Sequence, residues 1–297
     1  MFNSVHISSN SPRAIDAIAP FSWAPFGRLD LGSLAVDRFS QAALIDDVLY
    51  HALNGDTTRQ VVTANAQFYV LAKKSRRFRE CLRTAEYVCA DGMPIVWACT
   101  ALYASHVSRI AGVNLIERLC HRGAAYRLRV FLLGGKPGAS KLTAEMLKER
   151  YPGIQIAGVN SPPYGFERNE ESLRKVLDQI AESKAHVVFV GLGAPKQEFF
   201  IRDHIRRLNV PLAIGVGGSF EILSGQLKRA PAWMQSSGLE WAYRFAQEPK
   251  RLWKRYLVGN AEFLWHIVKA RVTRTSRSED KVEFGFLSRL QSHGDSR

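Results

Sequence analysis

The sequence predicts an α/β fold: a mostly parallel sheet with helices on both faces, followed by a basic helical appendage. Three observations lead there. From Leu29 onward, short continuous apolar runs alternate with amphipathic stretches, the pattern of strands buried on both faces between helices. Three of those runs end in glycine-rich loops, as strands do where a sheet meets a ligand. Past Pro231 the alternation stops, and basic and aromatic residues mix at helical spacing.

Residues 1–28, rich in Ser, Pro and Asn, read as an extension. A core follows over residues 29–232. Its strand candidates are Gln60–Ala64, Tyr87–Ala90, Arg129–Leu133, Ile154–Ala157, His186–Val190 and Leu212–Val216. Helical patterns occupy 66–84, 113–124, 138–150, 169–183 and 195–207. Residues 233–272 form the appendage, with a break expected at Glu248-Pro249. Between Lys228 and Arg277 it carries eleven Lys/Arg against three Glu, interleaved with Trp241, Trp253 and Trp265. Residues 273–297 read as a polar tail.

Composition narrows the partners. A formal net charge of +14 over 297 residues favours an anionic one: nucleic acid, an anionic membrane or a phosphorylated substrate. Cys81, Cys89, Cys99 and Cys120 form no CxxC pair or Cys/His cluster, so they read as buried thiols in a reducing compartment. No run approaches the ~18 apolar residues of a membrane span, and the N-terminus lacks a signal-peptide pattern. A cytoplasmic protein meeting a membrane from its surface is the expectation.

The loop candidates for binding are Gly134 and Gly135, Gly191 and Gly193, and Gly217 and Gly218. Each lets backbone approach a ligand and precedes a helix N-terminus with free N–H groups. None completes GxGxxG or a Walker A motif, so nicotinamide and P-loop chemistry are disfavoured. Thr63 and Asn65 close an early strand; they can bind a sugar or phosphate, and Asn65 reads first as a helix cap. Asp91 follows another strand, as a turn or capping residue or as a general base. Lys196 and Gln197 open a helix and suit a diphosphate or a sugar hydroxyl, or simply form a polar first turn. No Asp-x-Asp triplet is present, so a leaving diphosphate would need arginines, lysines and helix ends; Arg244, Arg251, Lys254 and Arg255 are the candidates, with a solvated basic face as the alternative.

Together, TANAQFYVLAKKSRRFRECLRTAEYVCADG, RVFLLGGKPG, VGLGAPKQE, GVGGSFEILSGQLKRAP and GLEWAYRFAQEPKRLWKRY resemble the WecG/TagA/CpsF glycosyltransferases, glycosyltransferase family 26, from about Leu29 to Tyr256. The resemblance implies a Rossmann-like core of the GT-E type. It implies an inverting transferase needing no metal or cofactor, which moves N-acetylmannosamine, its uronic acid or glucuronic acid from a UDP donor to a polyprenyl-diphosphate-linked saccharide. It makes Asp91 the base, sets Thr63 and Asn65 in the same pocket with Gln197 beside it, and brings Glu221 near the nucleotide. It also turns the appendage into a lid that supplies arginines and meets the inner face of the cell membrane. Glu221 replaces a common Asp, Val113-Asn114 replaces Ser-Asp, and Lys254 stands where other members carry Arg, giving charge without a bidentate fork. Many members are dimers or trimers, so a homo-oligomer is an expectation.

Two other classes compete. A nucleic-acid-binding module would use the same charge, but no helix-turn-helix or RNA-recognition signature appears, and no nucleic acid partner is expected. A non-catalytic membrane scaffold would tolerate loss of Asp91 and Gln197.

Overall fold

A computed structural model describes residues 27–253 and 259–273. The expected extension up to Phe26, the cations Lys254 and Arg255, and the tail from 274 lie outside the described residues, as does the side chain of Arg251.

The described chain begins with an antiparallel hairpin, β1 (Arg28–Asp30) and β2 (Ala35–Asp37). The Arg28 guanidinium meets the Asp37 carboxylate at 2.7 Å and donates to the carbonyl of Glu86 at 3.1 Å. Asp37 in turn accepts from the Val88 N–H at 2.6 Å. This buried pair ties the hairpin to the edge of the main sheet.

That sheet has six strands: β3 (Arg59–Ala64), β4 (Tyr87–Ala90), β5 (Arg129–Gly134), β6 (Gln155–Asn160), β7 (Val187–Gly191) and β8 (Leu212–Gly215). Their order is β4-β3-β8-β7-β5-β6, and every neighbouring pair is parallel. Side chains alternate between faces with period two. Val130, Leu132, Val187 and Phe189 enter one apolar cluster, and Phe131, Leu133, Val188 and Val190 the opposite one. Burial on both faces explains why these strands read as continuous apolar runs. The edge strand β6 is only half-buried along its length.

One face is covered by α1 (Gln41–Asn54), α5 (Gly112–Gly123), α6 (Ala139–Arg150) and α9 (Ser219–Leu223). The other carries α2 (Ala66–Lys74), α3 (Arg76–Arg83), α4 (Met93–Tyr103), α7 (Glu170–Glu182) and α8 (Lys196–Leu208). The stretch 66–84 is therefore two helices, not one. Ser75 ends α2 and caps α3, its hydroxyl accepting from the Phe78 N–H at 3.2 Å. The six strand candidates are all present; five match to within one residue at each end, and β6 runs three residues further than its candidate. The hairpin, α1 and α4 are additions to the sequence reading. All four cysteines are buried, as expected.

Beyond the core lie α10 (Ala232–Ser236), α11 (Glu240–Gln247) and α12 (Pro249–Trp253), with the expected break at Glu248-Pro249. A final helix, α13, covers residues 260–273. Phe263 is fully buried against Tyr69 of α2, ring centroids 5.1 Å apart, and Glu262 pairs with Lys74 at 3.1 Å. The chain thus returns to α2 after passing the carboxyl edge of the sheet. Among the described residues, no helix is long and apolar enough to cross a membrane.

Candidate active site

A cavity of about 220 Å³ opens at the carboxyl ends of β3, β4, β7 and β8. Its floor is made by the residues that end these strands. Thr63 lies in the last turn of β3, and its hydroxyl donates to the Gly215 carbonyl at 2.9 Å, binding β3 to β8 at the rim. Asn65 caps α2: its side-chain oxygen accepts from the Gln67 N–H at 3.0 Å. The capping role read from the sequence is real, and Asn65 lines the cavity as well.

Asp91 ends β4, its N–H held by the Ala64 carbonyl at 2.7 Å, and it too lines the cavity. Gly92 follows with φ +112° and opens α4, whose first turn (Met93, Pro94) forms the adjoining wall. Arg109 stands beside Asp91 through a parallel bridge between Ala90 and Arg109. Its guanidinium donates at 2.6 Å to Glu240 of α11 and at 2.6 Å to the Gln235 carbonyl, pinning the appendage to the rim. Sequence reasoning passed over Arg109 because it follows no apolar run.

Two glycine loops make the opposite wall. Gly193, Gly217 and Gly218 line the cavity. Gln197, almost fully buried, accepts with one oxygen from the N–H groups of Gly193 (3.1 Å) and Gly217 (2.9 Å). Its amide nitrogen donates to the Glu198 carboxyl at 2.7 Å. Gln197 therefore ties the β7–α8 and β8–α9 loops to each other. A Cβ on Gly218 would stand 3.1 Å from a guanidinium nitrogen of Arg244, which places this arginine of α11 close over the loop. Arg244 lies 3.9 Å from Glu248, which also pairs with Lys136 at 3.0 Å. Trp241 and Asn260 complete the roof.

The remaining candidates stand behind the cavity lining. Gly134 and Gly135 pack on β7: the Gly135 N–H donates to the Gly191 carbonyl at 2.9 Å. Glu221 accepts from the Lys136 N–H at 2.9 Å and so fixes the β5–α6 loop. Lys196 turns away to Glu167 at 2.9 Å and lies 3.8 Å from the Tyr164 ring centroid.

A six-stranded parallel sheet with a cavity at its carboxyl edge, glycine loops on one side and an appended helix carrying Arg244 over the top, defines an α/β protein that takes its ligand outside the sheet. The chain belongs to the glycosyl transferase WecG/TagA/CpsF family, whose model matches residues 29–277. It is similar to the N-acetylglucosaminyldiphosphoundecaprenol N-acetyl-beta-D-mannosaminyltransferase of Bacillus spizizenii, at 36% identity over 66% of this chain and 74% of that one. It is also similar to the Bacillus subtilis protein of the same name, at 33% identity over 72% of this chain and 81% of that one. The fold expected from the resemblance, a Rossmann-like α/β sheet with a helical C-terminal region, is the fold observed.

Proposed function

We propose that this glycosyltransferase moves an N-acetylmannosamine-type sugar (or its uronic acid, or glucuronic acid) from a UDP donor to a polyprenyl-diphosphate-linked saccharide. The observation that carries the reading is the meeting of Asp91, the Gly193 and Gly217 loops and Arg244 on one cavity. The two Bacillus relatives, named for transfer to a lipid-linked N-acetylglucosamine diphosphate, support the acceptor class. The donor diphosphate lies along the Gly193 and Gly217 loops. Asp91 takes the proton of the acceptor hydroxyl, whose oxygen bonds to the anomeric carbon as the bond to UDP breaks, inverting the centre. Arg244, with Arg251 from α12, balances the charge of the departing UDP without a metal ion. Thr63 and Asn65 shape the sugar pocket. The enzyme works at the inner face of the cell membrane, which its basic, Trp-bearing appendage meets from the surface.

The test is UDP release from a panel of UDP-sugars with a short-chain lipid-diphosphate acceptor and EDTA present. Release should occur with one donor, require acceptor, and fall by at least ~100-fold in Asp91→Asn, within the usual range for losing a general base. Near-normal turnover in a folded Asp91→Asn enzyme would sink the base assignment, and activity abolished by EDTA would sink metal independence.

A further inference from the structure

We propose that Glu198 is a positioning residue for sugar transfer: its buried carboxyl fixes the amide orientation of Gln197 and thereby holds the two glycine loops that bind the donor. The proposal rests on the donor-binding role given to those loops above. Glu198 is fully buried in the first turn of α8, behind the cavity wall. One carboxyl oxygen accepts from the Gln197 amide nitrogen at 2.7 Å. The other is buried with no hydrogen-bond partner among the described residues. The Glu198 backbone carbonyl accepts from the Gln60 amide at 3.2 Å, which keeps the start of α8 against β3.

Donor and acceptor chemistry fixes the arrangement. The Gly193 and Gly217 N–H groups can only donate, so the Gln197 side chain must turn its oxygen to them. Its NH2 then points to Glu198. A carboxylate can only accept, and a carboxylic acid keeps one oxygen that can only accept. The ionised form receives the NH2 and opposes a flipped amide, which would set oxygen against oxygen and NH2 against two N–H groups; the protonated form still receives the NH2 on its carbonyl oxygen. Both side chains pack closely on the β8 backbone: a Cβ on Gly215 would lie 2.7 Å from the Gln197 nitrogen and 3.0 Å from the Glu198 oxygen. An isolated acid in a helix's first turn serves the helix dipole from the surface. Full burial with one oxygen unpartnered is a poor way to do that and costs stability. Burial lifts this carboxyl to about 7, consistent with that cost.

The experiment compares Glu198→Leu, Glu198→Gln, Gln197→Leu and the double variant Gln197→Leu/Glu198→Leu, reading donor KM, kcat, UDP affinity, Tm and hydrogen exchange at the Gly193 and Gly217 amides. Glu198→Leu should raise donor KM about tenfold or more with a smaller change in kcat, as expected when donor binding is lost. Glu198→Gln, which keeps an acceptor, should stay within about threefold of the parent, whatever its Tm. The double variant should be no worse than Gln197→Leu, because residues acting as a unit are non-additive. Wild-type donor KM in folded Glu198→Leu, or a double loss equal to the product of the single losses, overturns the proposal. If Glu198→Leu does not fold, Glu198→Asp replaces it: the shorter side chain withdraws from Gln197 and should raise KM while Glu198→Gln does not, and equal values overturn the proposal. Faster exchange at both glycine amides in Glu198→Leu or Glu198→Asp supports positioning even if no UDP-sugar is turned over. Unchanged exchange overturns it whatever the donor.

Discussion

At the scale of the residue, position at a strand end marked the cavity lining as candidates, and the family resemblance, not position, chose among the roles each could play. Thr63, Asn65, Asp91, Gly193 and Gly217 each end or follow an apolar run, and all line the cavity. Arg109 lines it too but follows no such run, so no local pattern pointed to it. Glu221 and Lys196 also follow strands, yet their partners, the Lys136 N–H and Glu167, come from loops distant in sequence and hold them behind the lining. Gly134 shows what a strand-end glycine does: it sits at φ +93°, and a Cβ there would lie 2.8 Å from the Gly191 carbonyl oxygen. Gly134→Ala should therefore cost about 2 kcal/mol or more, measured by urea unfolding. Glu198 gives a pH signature, since burial raises its carboxyl from 4.5 to about 7 against the bond from Gln197. Across that window the folded chain keeps a proton that the unfolded chain has released, so stability falls as pH rises. Above pH 7 the full penalty applies, about 3 kcal/mol. Glu198→Gln should flatten this slope, and urea melts at pH 5 and pH 7.5 measure it.

At the scale of the element, strands buried on both faces announce themselves, and helices do so only when one face is polar. The inner strands were legible for that reason, and β6, half-buried at the edge, was caught only in its first half. Helix α4 was not, because its sequence MPIVWACTALY is apolar almost all round and shows no stripe. The break between α2 and α3 was hidden because Ser75, flanked by basic residues, interrupts neither hydrophobic pattern. Helix α13 was legible as basic and aromatic, but not its docking on α2, which is a contact between opposite ends of the chain. Phe263 anchors that docking. Phe263→Ala should cost about 3 kcal/mol, as large-to-small core changes do. Hydrogen exchange should show the loss first in residues 260–273, and uniform exchange along the whole chain would contradict this anchoring role.

At the scale of the whole molecule, the proposed work at a membrane surface rests on charge and exposed tryptophan. The chain carries +14, and Trp97, Trp233 and Trp265 are about half or more exposed. Lys and Arg draw a protein to anionic lipid, and interfacial Trp holds it there. Sedimentation with vesicles should show binding to anionic lipid, little to neutral lipid, and steep loss as salt shortens the screening length to ~3 Å near 1 M. A protein truncated after Trp233 should lose both vesicle binding and UDP release; full activity there would remove the appendage from the mechanism.

The strand order has one more result. Asp91 follows β4, an edge strand, whereas the glycine loops follow β7 and β8 near the middle of the sheet. In the proposed reaction the base and the donor loops therefore reach the one cavity from two sides, the flank and the centre of the sheet. On the proposed function, a sugar still tethered to its lipid would meet a donor already seated, with direct transfer and no enzyme-bound sugar intermediate. Initial rates with both substrates varied should give intersecting double-reciprocal lines, the mark of a ternary complex, rather than the parallel lines of a relay.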